Sequence, residues 1–192
     1  MNEIIYIIIL LVEASAFSFS LLWFIFIIDS IARGHDLPTS RKATKALFKI
    51  ISEHKSEHKT AKNFYDLGCA HGALACRIKR NFPALCVYAV DNNSARIFFA
   101  KIRAFLFRQD LKFLQKDIFD VDLSNADIIY TYLWYDIMPP LEKKLQKELK
   151  QGAIVVTNTS NFSTWKPTQK IVTYHKVSKT PNFETLFVYQ KT

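Results

Sequence analysis

From residue 4 to residue 28 the chain is apolar at almost every position, interrupted by a single formal charge, Glu13. A run with no polar face does not describe a helix lying on the core of a soluble domain. These 25 residues, at about 1.5 Å each, reach roughly 37 Å, enough to cross a hydrocarbon layer of about 30 Å with some tilt. The pattern predicts a transmembrane anchor over residues 1–29. A secretory leader is the rival reading, because Ala14-Ser15-Ala16 offers small residues for cleavage. A positive region ahead of the apolar run is missing, and residues 17–28 stay apolar beyond that site, so a retained anchor is expected. Ala14 and Ser18 stand at small-x-x-x-small spacing, a motif too common to assign helix pairing.

After residue 29 the pattern changes. Residues 30–60 read as a linker and an amino-terminal helix, and residues 61–192 as the main domain. Ala43, Ala46, Leu47, Ile50 and Ile51 recur at helical spacing over residues 42–51, behind Thr39-Ser40 as caps. Residues 53–59 (EHKSEHK) are so polar that a solvated helix end or loop is expected. His54 and His58 lie four apart there, but a metal pair needs further ligands. Beyond them, short apolar runs at residues 63–67, 85–90, 111–114, 127–133 and 153–157 read as strands. Residues 73–82, 94–107 and 139–150 read as helices between them, the last stopped by Gly152. Residues 170–177 and 183–190 alternate like antiparallel strands at a sheet edge. Strand and helix in this rhythm predict an α/β fold, a mostly parallel sheet covered on both faces.

Composition sharpens the partition. Residues 1–29 hold no Lys or Arg and three acids, so the remaining 163 residues carry all 26 basic side chains against 14 acids, a formal +12. Arg33, Arg41, Lys42, Lys45 and Lys49 closely follow the apolar run, which places the domain on the cytoplasmic side of a membrane. A bacterial inner membrane is the expected host, with a mitochondrial membrane as the alternative. Three cysteines, with no C-x-x-C pair, make no disulfide framework and read as reduced thiols. Cys69 and Cys76 read as packing residues. No nucleic-acid-binding motif accompanies the positive charge, so nucleic acid is not an expected partner. No metal is expected either.

In an open parallel sheet, ligands bind beyond the carboxyl ends of the strands, and acidic and glycine residues gather at those ends here. The first strand runs into Asp66-Leu67-Gly68-Cys69-Ala70-His71-Gly72, which holds two of the chain's four glycines. Glycine permits positive φ and close approach of main chain to a ligand. Asp91 ends the next strand, where a carboxylate can accept both ribose hydroxyls. A dinucleotide would need G-x-G-x-x-G, but the template reads Gly68-x-Ala70-x-x-Ala73, and Asp66 would add negative charge beside the phosphates. S-adenosylmethionine carries no phosphate, and its sulfonium and ammonium favour a nearby carboxylate. It is the expected cofactor.

Residues 66–72 resemble motif I of the class I S-adenosylmethionine-dependent methyltransferases. Asp91, followed by Asn92, resembles the acidic residue of their second strand. Lys116-Asp117-Ile118 is similar to their third-strand motif, whose Asp receives the adenine amino group. A closer resemblance is to membrane-anchored protein-lysine methyltransferases of mitochondria and their prokaryotic relatives. It rests on the anchor, on Leu37-Pro38-Thr39-Ser40, and on Ile129-Tyr130-Thr131-Tyr132-Leu133 leading to Leu141-Glu142-Lys143-Lys144-Leu145. The run continues through Glu148-Leu149, Gly152-Ala153 and Val155-Val156 to Phe162 and Trp165-Lys166-Pro167. The resemblance implies a Rossmann-like fold, with Asp66, Gly68, Ala70, Gly72, Asp91, Asn92, Asp117 and Ile118 around the cofactor. It further implies a lysine of a membrane-associated protein as the methyl acceptor.

Two departures bear on this. Ala70 replaces the family's usual glycine and is expected at negative φ. The fourth-strand exit, Tyr132-Leu133-Trp134-Tyr135, lacks the Asn-Pro-Pro-Tyr type of motif, which disfavours adenine chemistry on DNA. Tyr132 and Trp134 are the candidate catalytic residues, lining a channel that desolvates the acceptor amine. His71 either meets the cofactor's carboxylate or faces solvent. Trp165-Lys166-Pro167 is expected to anchor the loop after the fifth strand. Two other functions stay open at this point: a membrane-bound methyltransferase acting on a quinone or lipid, and a non-catalytic module that binds a partner or anionic lipid.

Overall fold

The computed structural model describes residues 2–32, 38–173 and 184–192. It divides into two compact units, Met1–Leu37 and Pro38–Thr192. The first is a single helix, α1 (Asn2–Ala32), in which Glu3–Ile25 is long and apolar enough to cross a membrane. Its serines satisfy their own hydroxyls: Ser15 donates to the Val12 carbonyl, Ser18 to that of Ala14, and Ser20 to that of Ala16. The Ser18 hydroxyl of the small-residue pair is therefore engaged within its own helix.

The second unit comprises α2 (Arg41–Glu57), β1 (Asn63–Leu67), α3 (Ala73–Asn81), β2 (Cys86–Asp91), α4 (Ser94–Leu106) and β3 (Lys112–Gln115). These are followed by β4 (Ile128–Thr131), α5 (Met138–Glu148), β5 (Ile154–Asn158), β6 (Gln169–Val172) and β7 (Thr185–Gln190). The strands form one sheet in the order β3-β2-β1-β4-β5-β7-β6. β1 to β5 pair in parallel, while β7 runs antiparallel to both β5 and β6. The antiparallel strand therefore lies one place in from the edge, and β6 is the outermost. The residues 174–177 and 183 of the two expected last strands lie outside the described residues.

Every residue of β4 and β5 is buried, because helices cover both sheet faces, and such strands read as unbroken apolar runs. On one face, Leu47 and Ile51 of α2, Ala75 and Ile78 of α3 and Ile97 of α4 pack on Phe64, Val87, Ile128 and Val156. On the other, Met138, Leu141 and Leu145 of α5 pack on Leu67, Ile129, Val155 and Tyr189. The α2 helix thus shares its core with the sheet. It also runs through the stretch expected to be a solvated end: His54 is buried with its ring 4.6 Å from that of His58. Burial, reinforced by the His58 charge, holds the His54 pKa below its usual value. Among the described residues, no group of His, Cys, Asp and Glu is arranged to hold a metal ion.

At the amino end of the parallel strands, Asp127 ties β1 to β4 by accepting the main-chain N–H groups of Lys62 and Asn63, and Lys150 sits 2.6 Å from it. The carboxyl ends of β1 to β5, and the start of β7, all lie at the opposite end of the sheet.

Candidate functional site

The loop between β1 and α3 is built on three left-handed residues: Gly68 at φ +79°, Ala70 at +45° and Gly72 at +69°. Ala70 does not adopt the negative φ expected of it. A left-handed alanine costs about 1–2 kcal/mol, and its surroundings impose that conformation. Gly68 and Cys69 each donate to the Val90 carbonyl at 2.9 and 2.8 Å, and Ala70 donates to Asp91 Oδ2 at 3.0 Å. The loop is stitched to the end of β2 at three successive N–H groups, which leaves Ala70 no freedom to relax.

Both glycines also yield space. A Cβ on Gly68 would stand 2.7 Å from Leu133 Cδ2, and one on Gly72 would stand 2.9 Å from the Ala100 Cβ. The first contact draws the β4 exit, with Tyr132 and Trp134 on either side of Leu133, down onto the β1 turn. The second lets α4 approach the start of α3. Gly72 caps α3 without a side-chain hydrogen bond, so a helix N-terminus with its unsatisfied N–H groups opens at this turn.

Asp66 is buried beneath the loop. Burial pushes its carboxyl pKa up to about 7, against a main-chain hydrogen bond from Ala75 that lowers it; the Asp91 charge adds to the rise. Its Oδ2 has no hydrogen-bond partner among the described residues. A buried, unpartnered carboxylate oxygen is costly, and this one is supplied with a rationale by a cationic ligand.

Asp91 Oδ2 takes the Ala70 N–H, and Oδ1 takes the Asn93 N–H at 2.9 Å. Each carboxylate oxygen accepts two hydrogen bonds, so capacity for ligand hydroxyls remains on both. Asn92 is exposed at the strand tip, while Asn93, not singled out from the sequence, caps α4 by accepting from Ala95 and Arg96 N–H groups. Asn immediately before an apolar helix is a capping signal that the sequence does contain. The β3 exit lies beside this tip, since Lys116 donates to the Asp91 carbonyl at 3.2 Å. Asp117 then caps the short 3-10 turn Ile118–Asp120 through the Phe119 N–H.

Tyr132 is half-buried against the core, whereas Trp134 is 53% exposed. Burial raises the Tyr132 phenol pKa, opposed by a hydrogen bond to Thr159 and assisted by the Glu184 charge. Tyr132 is therefore a neutral phenol at physiological pH. The Arg103 guanidinium donates Nε–H to the His71 carbonyl, so the loop's main chain is held at that residue as well. Cys69 and Cys76 are buried, and burial raises the pKa of both thiols, which makes them packing groups.

The loop after β5 is anchored by a residue that no motif singled out for this role. Glu142 of α5 is buried and accepts the N–H and hydroxyl groups of Ser163 and Thr164, together with the Trp165 N–H. Trp165 stacks on Phe162 at 5.8 Å and meets Tyr189 at 5.4 Å. The Trp165 segment anchors this loop as expected.

Three carboxylates at neighbouring strand tips, a left-handed turn and an unsatisfied buried oxygen suit a cationic nucleoside, whereas negative charge this close to the α3 N-terminus disfavours a pyrophosphate there. Comparison with known proteins agrees. Residues 66–169, more than half of the chain, match the family model of the ANTKMT methyltransferase domain. A protein-lysine N-methyltransferase of Saccharolobus islandicus (strain REY15A) is 26% identical over 137 residues, covering 70% of this chain and 82% of that protein. A carboxy-S-adenosyl-L-methionine synthase of Aliivibrio fischeri (strain MJ11) is also 26% identical, over 67% of this chain; the chain spans 54% of that protein, about half its length. Among solved structures, the RNA methyltransferase from Salinibacter ruber in complex with S-adenosyl-L-homocysteine superposes with a TM-score of 0.67 at 18% identity, over 80% of this chain and 93% of that one. Magnesium protoporphyrin IX methyltransferase from Synechocystis PCC 6803, with bound SAM, gives a TM-score of 0.59 at 8% identity, over 79% and 80%. These likenesses show the same mostly parallel, Rossmann-like sheet. The chain belongs to the ANTKMT methyltransferase domain family and is a class I methyltransferase whose cofactor is S-adenosylmethionine.

Proposed function

We propose that this methyltransferase is tethered to a membrane by α1 and methylates lysine on a membrane-associated protein, with its domain on the cytoplasmic side. The observation that carries the reading is the likeness to the archaeal protein-lysine N-methyltransferase, which extends over 82% of that protein. The length and apolarity of α1 support the tether, which would confine the domain to the bilayer surface and raise the local concentration of acceptors there. The basic residues just after the span support the orientation.

In this reading Asp66 faces the cationic amino-acid end of the cofactor, and the turn from Gly68 through Ala70 to Gly72 supplies main-chain contacts. Asp91 and Asn92 take the ribose, and Asp117 with Ile118 takes the adenine. The bound cofactor supplies a methyl group on a positively charged sulfur, open to in-line displacement. The chain's own residues must deliver an uncharged amine to it. An acceptor lysine has an ordinary pKa of about 10.4 and must shed a proton before attack. The half-buried Tyr132 and the indole of Trp134 would desolvate the amine and favour its neutral form. As a neutral phenol, Tyr132 orients the amine through its oxygen lone pair and does not act as a base. The proton leaves to solvent, and alignment supplies the rate enhancement.

Labelled S-adenosylmethionine incubated with the full chain and a membrane extract tests the proposal. Label recovered as methyl-lysine after acid hydrolysis is the expected result. Label that partitions into organic solvent would instead assign a quinone or lipid acceptor. Cofactor binding without any transfer would leave a partner-binding module.

A further inference from the structure

A polar network centred on the buried Tyr130 and Asn158 joins four separate segments at the carboxyl end of the sheet, and the cofactor turn does not use it. Asn158, at the end of β5 and fully buried, donates Nδ2–H to the Tyr130 hydroxyl at 3.0 Å and to Glu184 Oε1 at 2.7 Å. Because the amide nitrogen can only donate, Tyr130 accepts there, and its hydroxyl shares a second hydrogen bond with Thr39 Oγ1, 2.7 Å away. Ser40 donates its main-chain N–H to the same Glu184 Oε1 at 3.1 Å. Thr159, held at φ +67°, donates its hydroxyl to Asn158 Oδ1 at 3.1 Å and is hydrogen-bonded to Tyr132.

Two features set Glu184 apart. It precedes β7, whose antiparallel course returns the chain to the end where β1 to β5 finish. Strand alternation places Tyr130, Tyr132 and Asn158 on the sheet face that also carries Asp66, which pairs in register with Tyr130. The Glu184 charge is felt by both phenols, Tyr130 and Tyr132. Furthermore, both of its hydrogen-bond donors among the described residues fall on Oε1. The carboxylate plane is thereby fixed, and among the described residues Oε2 takes no hydrogen bond. The other strand-tip acids, Asp91 at the end of β2 and Asp117 after β3, stand on the opposite side of β1 from Glu184 and are assigned above to the cofactor.

From this we infer that Glu184 is the acceptor-binding carboxylate of the enzyme: its Oε2 pairs with the incoming lysine ammonium and hands it, oriented, to the Tyr132 side of the pocket. The inference rests on the lysine reading above. A bulk approach of a cation to a carboxylate held by two N–H donors selects an amine over a neutral quinone or lipid acceptor. Burying Asn158 against a half-buried carboxylate is hard to explain by stability alone, since an apolar side chain of similar shape would serve the fold as well.

The test uses the full chain in detergent, with membrane-protein extract titrated as the acceptor and methyl-lysine counted. Glu184→Gln keeps an oxygen for Ser40 and Asn158 and removes only the charge. It is expected to raise the amount of extract giving half-maximal labelling at least tenfold. The maximal rate should stay within about threefold, and calorimetric cofactor affinity and the melting midpoint should hold. Glu184→Asp, which keeps the charge, should recover much of the loss. Unchanged half-saturation in Glu184→Gln would overturn the inference, as would parallel losses of cofactor affinity and melting midpoint, which denote a structural role. If the parent chain itself binds cofactor but yields no methyl-lysine, the lysine reading falls and this inference falls with it.

Discussion

Asp66 should make the cofactor-free protein lose stability as pH rises, an unusual sign for an aspartate. Its carboxyl is fully buried, and its pKa rises from an ordinary 3.8 to about 7. The folded state therefore holds the proton over a range in which the unfolded chain has lost it. The neutral-form advantage is complete below pH 3.8 and is lost as pH climbs through 7. At about 1.4 kcal/mol per pH unit, the rise corresponds to roughly 4 kcal/mol in full, of which roughly 2–3 kcal/mol falls between pH 5 and 8. Asp66→Asn retains an oxygen for the Ala75 N–H and cannot ionise. Urea unfolding of both proteins in one mild detergent, at pH 5 and at pH 8, isolates this group from every other titration. The difference in stability, variant minus parent, should grow by roughly 2–3 kcal/mol from pH 5 to 8, even as cofactor binding is weakened in the variant. A difference that stays flat with pH, or reverses, refutes the buried-carboxyl argument.

Two other substitutions probe the scaffold of the site. Ala70→Gly removes the left-handed strain of about 1–2 kcal/mol and adds about 0.4–1 kcal/mol of unfolded-state entropy, so a net gain of up to about 1.6 kcal/mol is expected in denaturant unfolding. A net loss would mean that the turn does not strain alanine. Glu142→Ala leaves the Ser163, Thr164 and Trp165 donors without their carboxylate, and should cost about 3 kcal/mol or more. Although burial works against it, hydrogen bonds from Thr164, Trp165 and Ser163 hold the Glu142 pKa below its usual value. Its contribution is therefore present above the ordinary pKa of 4.5 and lost as pH falls below it. Equal stability of parent and variant at pH 7 would rule out this anchor.

Much of the fold is readable from local pattern because central parallel strands, buried on both faces, produce short apolar runs such as residues 153–157. The helix stop at Gly152 and the turn at residues 66–72 are readable for the same kind of reason, since their chemistry is local. What local pattern does not carry is pairing between distant segments. That β7 lies between β5 and β6 follows from a register linking Asn158 to Leu186, and no periodicity reports it. The burial of His54 within a polar stretch arises from packing by elements remote in sequence. The positive φ of Ala70 is imposed by Val90 and Asp91, twenty residues on, against the residue's own preference. Asn93 was legible as a helix cap and is easily passed over beside Asn92. Asn158 and Glu184 leave no motif at all, because their partnership spans 26 residues and is created by the antiparallel return of β7.

The central claim is that the β1 turn and the tip of β2 hold the methyl donor. Calorimetric titration of S-adenosylmethionine into the full chain and into Asp91→Ala tests it most directly. The parent should bind one equivalent, and the variant, losing hydrogen bonds to a charged acceptor worth about 1.5–3 kcal/mol, should bind roughly 10- to 150-fold more weakly while remaining folded. Equal affinity in a folded Asp91→Ala protein would contradict the site described here.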